Sequence, residues 1–325
     1  MKPLKNKVAV VAGATRGAGR GIARGLGEAG ATVYCTGRSS RAQPNTSSHH
    51  YAKRPETIDE TAELVTAAGG EGIPVRVDHT IEREVQQLFK RVKKERGRLD
   101  VLVNILTHTP VTVWQPFWKL AVADGRSRFD GWVWPHVWTA RHALPLMLAA
   151  KSGLVVEVIE QESLGYHGQF WFDMYEAALK RLAYGIAEEG APHGITAIAI
   201  TPGFMRTEAI KEQFGATDEN WREVALSNPQ AKGFGFIASE TPCFVGRAIA
   251  ALAADPERQR FSGGVYSSAT LNRFYDFTDL DGTRPDMQAY LRKYHADLFK
   301  RNAAVQWEMS GRPAPRHGGA TSRVD

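Results

Sequence analysis

A chain of 325 residues, 43% hydrophobic and 23% charged, has enough apolar material for one large α/β domain or two small ones. Its net charge of +6 is scattered, and the densest basic run, Lys90-Arg91-Val92-Lys93-Lys94-Glu95-Arg96, reads as the wet face of a helix, which argues against nucleic acid as a partner. No stretch approaches about 18 uncharged apolar residues, no secretion signal precedes the first strand, and two cysteines, Cys35 and Cys243, fit a reducing cytoplasm, the expected location.

Short β-branched runs alternate with helical periodicity, the pattern of βαβ units. Strands are expected over residues 7–12, 31–36, 74–77, 99–104, 153–159, 194–200 and 263–267. Between them helices are expected over 17–30, 56–68, 82–96, 128–150, 170–189 and 241–254. The spacing predicts one doubly wound parallel sheet within residues 1–270, not two domains. Three segments break the rhythm. Residues 39–54 read as a polar loop and 107–125 as an aromatic-rich insertion. Residues 271–310 form an extension with a helix over 285–301, and 311–325 read as a disordered tail.

The first strand runs into Ala12-Gly13-Ala14-Thr15-Arg16-Gly17-Ala18-Gly19, which opens a helix. Glycines belong where a backbone turns tightly and lets a pyrophosphate reach the helix N-terminus. Four further stretches follow: Thr36-Gly37-Arg38-Ser39, Val77-Asp78-His79, Val103-Asn104, and Pro202-Gly203-Phe204-Met205-Arg206-Thr207. A helix reading FDMYEAALKRLAYGIAEEG precedes the strand that ends in Pro-Gly. Taken together, these motifs and their order resemble the short-chain dehydrogenase/reductase family, and the likeness runs from about residue 5 to residue 268.

The resemblance implies a Rossmann-type fold with seven parallel strands and a nicotinamide cofactor. Its binding residues would be Gly13, Thr15, Arg16, Gly17, Ala18, Gly19, Arg38, Ser39, Asp78, His79, Asn104, Glu176, Pro202, Gly203 and Thr207. No acid closes the second strand, where an NAD enzyme places one for the ribose diol. Arg16 and Arg38 are there instead, and a planar guanidinium suits the 2′-phosphate, so NADPH/NADP+ is the expected cofactor. Relatives pair two helices across a two-fold axis, which implies a homodimer or homotetramer. No metal site is expected, because the histidines lack ligand spacing and His49-His50 sits in a polar loop.

The reaction centre departs from the family. Where relatives keep Asn, Ser, Tyr and Lys, this chain reads Trp132, Ile159, Phe172 and Glu176. A register using Tyr175 with Lys180 fails, because five helical residues turn a side chain through about 500°, leaving the two roughly 140° apart. Hydride addition to a neutral carbonyl develops an alkoxide that needs an acid, whereas a cationic iminium needs none and favours carboxylates. Glu160, Glu162 and Glu176 are the carboxylates available. Tyr166 and His167 are candidates for relocated acids, which makes the expected catalytic set Glu176, Glu160, Tyr166, His167 and Phe172. Trp114, Trp118, Trp132, Trp134, Trp138 and Trp171 crowd the same region and suit a flat or cationic substrate. The implied activity is NADPH-dependent reduction of a bulky small molecule, with an imine or iminium group of specialised (natural-product) metabolism as the acceptor. Two alternatives stay open: a non-redox cyclase, dehydratase or isomerase on this scaffold, and a non-catalytic NADP(H)-binding regulator.

Overall fold

The computed structural model describes residues 2–44, 54–106, 115–160, 162, 166 and 168–294. In chain order the first half holds β1 (Val8–Ala12), α1 (Gly17–Glu28), β2 (Thr32–Gly37), α2 (Ile58–Ala67), β3 (Glu71–Arg76), α3 (Glu82–Arg96) and β4 (Val101–Asn104). Then come α4 (Val122–Arg128), α5 (Trp134–Ala150), β5 (Gly153–Val158), α6 (Phe170–Gly190) and β6 (Ile195–Thr201). The remainder is α7 (Glu208–Phe214), α8 (Trp221–Ser227), α9 (Pro229–Gly233), α10 (Pro242–Ala254), β7 (Val265–Ser267), α11 (Ser268–Tyr275) and α12 (Met287–Tyr294).

The seven strands form one sheet in the order β3-β2-β1-β4-β5-β6-β7, every pair parallel. Central strands such as β1 (VAVVA) and β6 (ITAIAIT) are buried on both faces, and this is why they read as unbroken apolar runs rather than alternating ones. The strand order reverses between β1 and β4. There Ala12 pairs with Thr36 on one side and Asn104 on the other, so three motif-bearing strand ends stand level at one edge. In open α/β sheets this is where ligands bind. On one face α1 lies directly against α10: a Cβ on Gly21 would stand 2.2 Å from the Pro242 backbone, so only glycine admits that approach.

Several boundaries differ from the sequence expectation. β3 begins at Glu71, three residues early, and it contains Pro74, which an edge strand tolerates. The helix expected over 128–150 starts earlier and carries a π-helical turn: α4 ends at Arg128, the turn spans Phe129–Val133, and α5 continues from Trp134. Part of the expected insertion is therefore helical. α7, α8 and α9 were not expected; they are short and draw their order from a cluster around Phe214, Trp221 and Phe236. α12 is the described part of the helix expected over 285–301, and the expected tail over 311–325 lies outside the described residues. Among the described residues no helix is long and apolar enough to cross a membrane, and no His/Cys/Asp/Glu group could hold a metal ion.

Candidate active site

The glycine turn sits at the reversal of strand order. Gly13 has φ +96°, and a Cβ there would stand 2.1 Å from the Ile105 carbonyl oxygen. Gly13 N and Ala14 N both donate to Thr36 O, at 3.0 and 2.8 Å, which clamps the turn to the end of β2. Thr15 is buried against Gly37, while Ala18 and Gly19 are buried in the first turn of α1. Gly17 N, at the start of that helix, donates to Glu208 Oε2 at 3.0 Å, and Arg20 Nε lies 3.8 Å from the other Glu208 oxygen. Thr207, which ends the Pro-Gly motif, caps α7 and brings its methyl to the glycine turn. Two motifs some 190 residues apart thus meet.

The adenosine end is less simple than the sequence implied. Arg16 is paired with Glu56 at 3.3 Å, and Arg54 binds the same carboxylate at 2.7 Å. Burial pulls the Glu56 carboxyl up, but the two guanidiniums prevail and hold it below its ordinary value. An acid does therefore enter this corner, from the polar loop rather than from β2. Arg38 is half-buried and makes no hydrogen bond or ion pair among the described residues. Ser39 is buried, and its carbonyl accepts from Ile58 N. Asp78 caps its own turn by accepting from Thr80 N and Oγ1.

The His79 side chain is buried between Thr36 Oγ1 (2.8 Å) and Thr139 Oγ1 (3.1 Å), so both ring nitrogens are engaged by hydroxyls. Burial pushes it down to about 3, which keeps it neutral. Asn104 lies in the floor of the site: Nδ2 donates to Glu157 Oε1 at 2.8 Å, while its buried Oδ1 has no partner. Glu157 also meets His136 Nδ1, and His136 Nε2 faces the Leu106 carbonyl at 3.0 Å. This sealed trio escaped the sequence reading, although a glutamate inside the apolar run GLVVEV was a visible signal. Pro202-Gly203 is steadied from behind, where Gly203 N donates to Glu240 Oε2 at 3.0 Å. Burial pushes the Glu240 carboxyl up to about 8. The turn geometry, the partnerless Arg38 and the orphaned Asn104 oxygen together fit a nicotinamide dinucleotide.

The structure gathers the residues expected at the tetrad positions. Trp132 and Ile159 are buried in one cluster with Tyr175, and Phe172 packs against it. The Tyr175 ring lies 3.8 Å from Trp132 and 5.2 Å from Phe172, centroid to centroid. Burial, helped by Glu160 and Glu176, holds the Tyr175 phenol far above its ordinary range, which makes it a poor acid. Glu176 is 1% exposed, and its two oxygens accept from Glu160 N at 3.2 and 3.1 Å. Lys180, one turn on and equally buried, brings Nζ to 4.0 Å from Glu176 Oε2. Burial pushes the Glu176 carboxyl up to about 8 and draws the Lys180 ammonium down to about 8, each opposed by the attraction of the other. The Glu160 side chain is exposed, Tyr166 is 58% exposed, and His167 lies outside the described residues.

The tryptophans do not act as one wall. Trp132 is core, Trp118 and Trp134 are exposed, and Trp114 is not described. Beside Phe172 a shallow cleft is lined by Leu120, Asp124, Arg128, Phe170 and Trp171, and Arg128 also lies over the Trp132 ring at 5.7 Å.

The family model described as short chain dehydrogenase matches residues 7–218. "Dehydrogenase/reductase SDR family member 1" of Homo sapiens is 34% identical over 296 residues, covering 89% of this chain and 87% of the relative. The 2-dehydro-3-deoxy-D-gluconate 5-dehydrogenase of Formosa agariphila is 28% identical over 209 residues, covering 63% and 71%. Among solved structures, a putative dehydrogenase from Xanthomonas campestris superposes with TM-score 0.67 at 23% identity, over 88% of this chain and 95% of that one. An NADPH-dependent reductase involved in bacilysin biosynthesis gives 0.62 at 22%, over 80% and 96%. The chain therefore belongs to the short-chain dehydrogenase/reductase family of oxidoreductases, whose fold implies a nicotinamide cofactor.

Proposed function

We propose that the protein is an NADPH-dependent reductase of a carbon–nitrogen double bond in a bulky small molecule. One observation carries this reading: of the four positions where relatives keep their polar tetrad, three are packed as an apolar cluster, and the fourth, Glu176, is a buried carboxyl. NADPH rather than NADH is favoured by the unengaged guanidinium of Arg38.

The nicotinamide, when bound, supplies the hydride. The chain's part is proton and charge control. Burial raises the Glu176 carboxyl well above the ordinary carboxylate range, so its protonated form is available to donate to an imine nitrogen. The N–H bond forms as the carboxyl O–H breaks, leaving a carboxylate beside an iminium cation. Opposite charges about 4 Å apart attract by about 4 kcal/mol at an effective dielectric of about 20. A ketone that took the same proton would end as a neutral alcohol, leaving no cation for the carboxylate to balance. Water then returns a proton to Glu176, and Trp132, Phe172 and Tyr175 keep the remaining surroundings dry.

The test compares 3,4-dihydroisoquinoline with 2-tetralone, an imine and a ketone of similar bulk, by following NADPH oxidation. Faster imine reduction is expected, with Glu176→Gln slowing it about 100-fold while leaving NADPH affinity largely intact. Faster ketone reduction, or an unimpaired Glu176→Gln enzyme, would overturn the reading.

A further inference from the structure

Glu176 does not stand alone. We propose that Lys180 is a positioning residue of this centre, forming with Glu176 a buried ion pair through which its ammonium tunes the charge state of the carboxyl. The proposal rests on Glu176 being the working carboxyl. The geometry carries it: both residues lie on α6 four positions apart, with Glu preceding Lys, the more favourable order for a helical pair. Lys180 Nζ and Glu176 Oε2 are 4.0 Å apart, with side-chain exposures of 0% and 2%. A long side chain on a helix leans toward the N-terminus, so Lys180 reaches back into the space beneath position 176. The cation that relatives place at 176 has in effect moved one turn down, and a carboxyl has taken its former place.

The groups facing the pair are identifiable. At the end of β5, Glu160 offers its backbone N–H to Glu176 and adds a negative charge nearby. From the preceding turn of α6, Asp173 acts on both members. From the loop after β5, Glu162 acts on Lys180, and its carboxylate accepts from Thr270 of α11. The Tyr175 phenol lies beside Glu176, and Arg128 of α4 bears on that phenol. Among the described residues the charges that act on Glu176 are the acids Glu160 and Asp173 and the cation Lys180. Burial disfavours charge on each partner while their attraction favours it on both, so the two groups titrate as a coupled pair. A lysine that merely filled space would leave the titration of Glu176 untouched.

Carboxyl 13C NMR of the full chain labelled with 13C-carboxyl glutamate reads Glu176 without any substrate, the resonance being assigned by its absence in Glu176→Gln. In Lys180→Met the titration midpoint of Glu176 is expected to rise by about one pH unit or more. Lys180→Arg should restore a midpoint close to that of the parent protein. If the methionine variant does not fold, Lys180→Gln removes the same charge and carries the same expectation. A midpoint that stays in place or falls in the uncharged variant overturns the proposal. A fully active Glu176→Gln enzyme would instead overturn the functional reading and leave the titration result standing.

Discussion

Arg38 and Arg16 looked equivalent in the sequence, and the structure separates them. Arg16 shares Glu56 with Arg54, whereas Arg38 has no carboxylate to satisfy it. A charge-assisted hydrogen bond is worth about 1.5–3 kcal/mol, so Arg38→Ala should weaken NADPH binding by about tenfold or more. NADH, which lacks the 2′-phosphate, should bind the variant and the parent alike. Calorimetry with both cofactors measures this, and equal losses for the two would remove Arg38 from phosphate recognition. The same scale shows why part of the site was legible and part was not. The expectation for Phe172 and Glu176 rests on the residues after them, Ala177-Ala178-Leu179, which resemble the family helix. Lys180 diverges from Tyr175 around the helix, and its reach back to Glu176 depends on side-chain direction that the spacing to Tyr175 does not show. Tyr175 does pack elsewhere, on Trp132 and Phe172. The motif around His79 gives no sign that two threonine hydroxyls hold its ring, because those partners come from distant segments.

At the scale of elements, β1, α1 and β4 were legible because apolar runs and a glycine turn dictate them locally. α4 was not. Its sequence, VADGRSR, has a central glycine and no apolar stripe, and it is held by packing, with Gly125 lying against the Trp171 ring. The meeting of α1 with α7 was hidden for the same reason, since it depends on two segments distant in the chain. There Glu208 puts a carboxylate on Gly17 N, at a helix start suited to an anion such as the cofactor's pyrophosphate. Like charges repel, so Glu208→Gln should tighten NADPH binding several-fold, most visibly at low salt. Unchanged or weaker binding in calorimetry would mean that Glu208 instead aids the cofactor, through its contact with Arg20.

For the whole molecule, α5 and α6, the helices that the family resemblance pairs across a two-fold axis, each carry exposed apolar side chains. Trp134 and Leu148 of α5 are 47% and 42% exposed, and Met174 of α6 is 43% exposed. Closed two-fold assembly through these helices would cover them, so light scattering at micromolar concentration should return a dimer or tetramer mass. A monomer mass, unaffected by Trp134→Glu, would contradict this.

The central claim is that Glu176 gives a proton to a C=N bond and then balances the cation. Its most direct test is a pair of pH profiles of NADPH oxidation. With 3,4-dihydroisoquinoline, Glu176 must begin protonated, so the rate should fall as pH rises through about 8, and Lys180→Met should carry that fall to higher pH. With the permanently cationic N-methyl-3,4-dihydroisoquinolinium no proton is needed and the carboxylate is the helpful form, so the rate should rise through the same range. Opposite limbs sharing a midpoint, both abolished in Glu176→Gln, are the predicted result. Parallel profiles for the two probes, or limbs that survive in Glu176→Gln, would contradict the account.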